Sequence, residues 1–112
     1  MPSTAPTVSD LLVTTKSREI QRGMQAELRG DADAASRHLM AAAHLELVLA
    51  DDYAEAGDPA MSARALISAG SCFWRGGDPN RGREILEAVM QDYPDQTDDA
   101  VSIIADLESS TD

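Results

Sequence analysis

One cysteine, Cys72, is present in 112 residues. A single thiol excludes an internal disulfide framework and any zinc cluster built on cysteines. Aromatic residues make up only 4% of the chain (Tyr53, Phe73, Trp74 and Tyr93), so the interior must be assembled from Leu, Ile, Val, Met and Ala. Alanine is the best helix former, and an alanine-rich core lets helices approach closely. Positive charge is scarce: nine Lys and Arg stand against 20 Asp and Glu, a net charge of −11. That balance argues against nucleic acid, whose binding needs a basic footprint, and against an anionic membrane surface. Long apolar runs are missing too. The longest uncharged stretch of the central region, residues 65–74, is half of the ~20 residues that span a bilayer. Residues 1–15 carry neither a basic start nor a long apolar segment, so no signal peptide is expected. With 43% hydrophobic and 26% charged residues, the composition is that of one folded domain, expected to be cytoplasmic.

The charge is uneven. Residues 92–112 hold seven acids and no base, while all nine bases fall between Lys16 and Arg83. Most of these acids read as solvated helix faces. The sharper reading makes residues 92–99 an acidic hook for a basic partner. Residues 1–8 and 109–112 read as a disordered leader and an acidic tail around a domain at 9–108.

Glycine, aspartate and proline divide that domain. Ser9 or Asp10 is positioned to cap a first helix reaching about Arg29, with Val13, Ile20, Met24 and Leu28 on one stripe. Gly30-Asp31 ends it and caps the next, because Gly tolerates the left-handed conformation and Asp accepts free N–H groups. Gly57-Asp58-Pro59 and Gly77-Asp78-Pro79 repeat the device, with proline at the first helical position. Helices are expected over residues 32–56, 59–75 and 79–92. Pro94 then breaks the chain, and Thr97 precedes a short helix with Ala100, Val101, Ile104 and Leu107 on its stripe. Five helices with short turns predict an all-α fold of antiparallel hairpins.

An offset of 47 residues aligns Ile20 with Ile67, Gly23 with Gly70, Gly30-Asp31 with Gly77-Asp78, Ala35 with Gly82, and Leu39 with Leu86. The second copy, residues 63–96, carries Leu66, Ala69-Gly70, Phe73, Gly82, Leu86 and Pro94 in the order bulky, small-plus-glycine, aromatic, small, large and closing proline. In this it resembles the tetratricopeptide repeat (TPR), departing where Leu66 replaces the usual Trp and Gly82 the usual Ala. The first copy, residues 16–49, matches at Gly23, Ala35, Leu39 and Ala42 only. The 13 residues separating the copies add ~20 Å if helical, which predicts a long first hairpin. The resemblance implies a closing fifth helix and a groove lined by the first helix of each hairpin. Its groove positions would be Arg64, Ile67, Ser71, Trp74 and Arg75, with Ser17, Ile20, Met24 and Glu27 from the weaker copy.

Among these, Trp74 is expected to anchor a bound peptide, since Trp and Arg dominate binding hot spots. The other reading packs Trp74 against the fifth helix or a dimer mate. Residues 39–50 are apolar on several faces, which implies burial on both flanks or a homodimer seam along the second helix.

Catalytic and metal signals are weak. His38 and His44, six apart, diverge around a helix and make a poor ligand pair. Arg37 and His44, seven apart, share a helix face and resemble the motif of HEPN-type ribonucleases, which offers an RNA-cleaving alternative that the net charge opposes. No phosphate loop or nucleophile–base set is evident, so no cofactor and no metal is expected. Cys72 reads as a small buried apolar residue. The leading expectation is a non-catalytic protein-binding module whose partner is basic overall; a self-assembling structural subunit is the third.

Overall fold

Three Gly-Asp corners set the architecture of the computed structural model, which describes residues 5–110. Five helices follow one another: α1 (Val8–Leu28), α2 (Ala32–Glu55), α3 (Pro59–Arg75), α4 (Pro79–Asp92) and α5 (Thr97–Ser110), with a 3-10 turn at Pro94–Gln96. No strand occurs among the described residues, so the fold is all-α. Gly30, Gly57 and Gly77 adopt φ of 77°, 76° and 110°. At each corner the Asp N–H reaches back five residues, to the carbonyls of Ala26, Tyr53 and Phe73 at 2.9, 2.9 and 2.8 Å. These bonds close the preceding helix in the Schellman manner. The same aspartates then open the next helix: Asp31, Asp58 and Asp78 accept from the N–H groups of Ala34, Met61 and Arg81 at 3.1, 3.2 and 3.1 Å. One dipeptide therefore satisfies two helix ends.

Turns this short make neighbouring helices antiparallel. α2 packs against both α1 and α3, α3 against α4, and α5 against α4 and α3. The odd-numbered helices consequently lie on one side of the molecule. Close approach within each hairpin depends on glycine: a methyl group on Gly23 would lie 2.8 Å from Leu39 Cγ, and one on Gly70 would lie 2.8 Å from Leu86 Cγ. The 47-residue offset thus relates two equivalent contacts. The first hairpin is longer, as expected, with 24 residues in α2 against 14 in α4. Leu39, Leu49, Leu86 and Val89 are the largest fully buried side chains, and alanines fill much of the remaining core. α2 buries Leu39, Ala42, Ala43, Leu49 and Ala50, while Ala41 and Val48 of the same apolar segment stay exposed.

Several boundaries differ from the sequence reading. Thr7, not Ser9 or Asp10, caps α1: Asp10 N–H donates to Thr7 Oγ1 at 3.1 Å, and Thr7 N–H donates to Asp10 Oδ2 at 3.0 Å. Asp10 is thus the third helical residue of a reciprocal capping box. Residues 7 and 8, assigned to the leader, belong to this helix start; residues 1–4 lie outside the described residues. Ser109 and Ser110, assigned to the tail, complete α5, and residues 111–112 lie outside the description. Thr97 is the first residue of α5, and its hydroxyl donates to the Met90 carbonyl at 3.3 Å. On α5, Ile103 joins Ile104 and Leu107 in packing, while Val101 faces solvent.

Candidate functional site

The side of the molecule formed by α1, α3 and α5 carries most of the residues placed in the groove by the sequence. Alternation along α3 explains why. Ala63, Ala65, Ala69, Cys72 and Phe73 are buried, leaving Arg64, Ile67 and Ser71 on the remaining face. Between α3 and α5 lies a cavity of about 290 Å³ lined by Arg64, Ile67, Asp99, Ser102 and Ile103. Farther along the same seam, Trp74, Arg75, Leu107, Ser110 and Glu27 of α1 line a second cavity of about 350 Å³. Each has apolar residues with charged groups among its lining: Ile67 and Ile103 in the first, Trp74 and Leu107 in the second. Ser71 is half-buried between them and lines neither.

α1 supplies a looser wall. Its contact with α2 runs through the buried Gly23 and Ala26, so the apolar stripe read from the sequence is split. Ile20 packs on the cluster of Leu39, Ala42, Ala43, Cys72 and Phe73. Met24 remains 47% exposed and Leu28 89% exposed. Ser17 and Glu27 are exposed as well.

Trp74 does not stand out into the groove as an anchor. It is only 8% exposed and packs with Leu86 and Leu107, with Ile67 alongside. The Arg83 guanidinium covers its ring at 4.8 Å from the centroid, a cation–π contact. Its indole N–H is buried without an acceptor. The tryptophan lies in the core beneath the second cavity, which is the packing alternative weighed from the sequence. Arg75 is also engaged: its Nη2 donates to Glu27 Oε1 at 2.6 Å, tying α3 to α1. Arg64 is different. Its guanidinium reaches Met61 Sδ at 3.8 Å, and no carboxylate pairs with it among the described residues.

A further cavity of about 230 Å³ opens between α1 and α3, bounded by Val13, Lys16, Met61, Arg64, Ala65 and Ser68, with Glu46 and Tyr53 of α2. Glu46 is buried, and Lys16 Nζ donates to its Oε2 at 3.4 Å. Burial, reinforced by the Glu46 carboxylate, pushes the Cys72 thiol up to about 11. Cys72 is therefore a buried, protonated thiol and a poor nucleophile.

Arg37 and His44 are exposed on α2. The His44 ring meets Phe73 edge-on at 5.1 Å, and Arg81 lies 5.4 Å from the same phenyl centroid. His38 Nδ1 lies 2.6 Å from Glu19 Oε2 across the α1–α2 contact, and this hydrogen bond holds the Glu19 carboxyl below its usual range. No cluster of three metal-ligating side chains exists among the described residues, and no described helix is long and apolar enough to cross a membrane.

Comparison with known families, characterised proteins and solved structures yields no match to this chain. Its geometry must carry the functional reading alone. Ser102, Ile103 and Ser110 of α5 lie outside the two repeat copies and so outside the groove positions that the repeats imply, while Asp99 belongs to the acidic segment 92–99. Helical spacing offered the signal: Asp99, Ile103, Asp106 and Ser110 follow at intervals of four, three and four, which places them on one face.

Proposed function

We propose that this chain is a non-catalytic protein-interaction module of TPR-like build, a small adaptor, chaperone-like or regulatory subunit acting in the cytoplasm. It holds a peptide or helix of another protein against the face formed by α1, α3 and α5. The observation that carries this reading is the pair of part-apolar cavities along the α3–α5 seam, with charged groups in their lining. Binding surfaces combine such an apolar centre with a polar rim. Met24 of α1 is a large exposed apolar side chain, and methionine adapts its shape readily to a partner. The buried position of Trp74 assigns it to the groove's foundation, leaving Arg64, Ile67 and Ile103 as the residues a partner would touch.

The test is capture by the immobilised protein from extract of its native cell, comparing wild type with two variants. Ser102→Arg places a long cation in the first cavity from an exposed position, while Ala41→Arg alters the exposed face of α2. A partner lost with Ser102→Arg and kept with Ala41→Arg supports the reading. Equal capture by both moves recognition off this face.

A further inference from the structure

Resting on that reading of the groove, we propose that its occupant is a basic amphipathic α-helix with two apolar side chains seven residues apart, laid along the α3–α5 seam. Spacing is the first support. Ile67 and Ile103 are the apolar residues lining the first cavity, and Trp74 and Leu107, with Ser110, line the second. Ile67 to Trp74 on α3, and Ile103 to Ser110 on α5, are each a step of seven residues. On a helix such a step is two turns, or ~10.5 Å. A second helix lying along the seam presents its i and i+7 side chains at that same interval and on one face. An extended strand presents same-face side chains at ~6.7 or ~13 Å, which departs from the ~10.5 Å between these residues by about 2.5 Å or more. A polyproline helix repeats every ~9.3 Å and falls short by about 1 Å.

Charge complementarity is the second support, and it names the flank. Asp99 and Asp106 are exposed on α5, seven residues apart, and neither is paired with a cation among the described residues. Glu27 and Arg75 neutralise each other at 2.6 Å. Arg64 alone stands across from Asp99 at the first cavity. The α5 side therefore offers two carboxylates without an ion pair, Asp99 in the lining of the first cavity and Asp106 on the same helix face, within a chain of net charge −11. Lysines or arginines on the edge of the bound helix that faces α5 meet them, which speeds encounter and fixes orientation.

Synthetic 18-residue peptides test this against the full chain, with binding read by the anisotropy of a labelled peptide. The reference probe is an Ala/Gln helix with leucines at i and i+7 and three lysines along one flank. Its comparators move the second leucine to i+5, exchange the lysines for glutamates, or replace the helix by a proline-rich peptide with leucines at i and i+3. The reference should bind at least about tenfold more tightly than each comparator, a difference well within the reach of one lost anchor or charge pair. Asp99→Lys/Asp106→Lys should weaken it about as much and favour the glutamate peptide. Equal binding of the i+7 and i+5 peptides, or indifference to the Asp reversals, overturns the inference. If the proline-rich or glutamate peptide binds best and Ser102→Arg abolishes that binding, the basic-helix assignment fails while the groove reading survives. If the reference binds equally well to Ser102→Arg, both fail. Sedimentation of the chain alone covers self-recognition: a dimer broken by Ser102→Arg would replace the foreign helix with a second copy.

Discussion

Gly70 and Leu86 interlock at the centre of the second hairpin: a methyl group on the glycine would sit 2.8 Å from Leu86 Cγ and 3.1 Å from the Gly82 carbonyl oxygen. Gly23 and Leu39 repeat the arrangement in the first hairpin, but there only flexible side-chain atoms crowd the site closely. Gly82 faces the most rigid surroundings, with the Gly70 carbonyl oxygen at 2.5 Å and Trp74 Cβ at 2.9 Å from an added methyl. Urea denaturation should rank Gly82→Ala as most destabilising, then Gly70→Ala, then Gly23→Ala. The first two should lie in the ~1–3 kcal/mol range of overpacked cores or above it. Equal, negligible losses would remove close approach as the reason for the repeated glycines.

Cys72 should be silent to thiol reagents in the native state. Burial and the neighbouring Glu46 carboxylate raise its pKa to about 11, leaving little thiolate at pH 8. Labelling by a disulfide reagent should be slow in buffer and rapid in denaturant. Fast labelling of the folded chain would show that α3 opens readily.

The Glu19–His38 bond links stability to acidity. Glu19 is held below its ordinary value of 4.5, first by the hydrogen bond to His38, with Arg22 adding to it and burial opposing. A depressed carboxyl contributes stability above the unfolded pKa and loses it as pH falls through the folded one. The urea midpoint of wild type should therefore exceed that of Glu19→Gln above pH 4.5 and converge with it on further acidification. A gap that widens in acid would contradict the assignment.

Arg37 and His44 should be dispensable. Both are exposed, and His44 packs its ring against Phe73. Purified chain should leave single-stranded RNA intact, and alanine at either position should change neither that result nor the capture of a protein partner. Metal-independent cleavage abolished by both substitutions would establish the ribonuclease alternative instead.

Local rules made the helices legible. Gly-Asp corners announce both an ending and a beginning, so the bounds of α3 follow from Pro59 and Gly76-Gly77, and those of α4 from Pro79 and Pro94. The cap of α1 was misplaced because Ser9 and Asp10 are both good capping residues, and only the reciprocal bonds of Thr7 and Asp10 decide between them. Gly82 stands where even an alanine methyl would meet the Gly70 carbonyl and Trp74. The face of Trp74 was not legible, because a residue at the border of a helix stripe goes inward or outward according to what α5 and Arg83 do to it. Long-range packing of that kind leaves no periodic mark in α3 itself.

The central claim concerns which face of the molecule meets its partner. It is tested most directly by titrating the captured partner, or the lysine-bearing reference peptide, into isotope-labelled protein and following its NMR shifts residue by residue. The account predicts that the changes cluster on Met24, Arg64, Ile67, Asp99, Ser102 and Ile103, while Arg37, Ala41, His44 and Val48 on α2 stay in place. Changes confined to the exposed face of α2, with the α3–α5 seam unmoved, would contradict it.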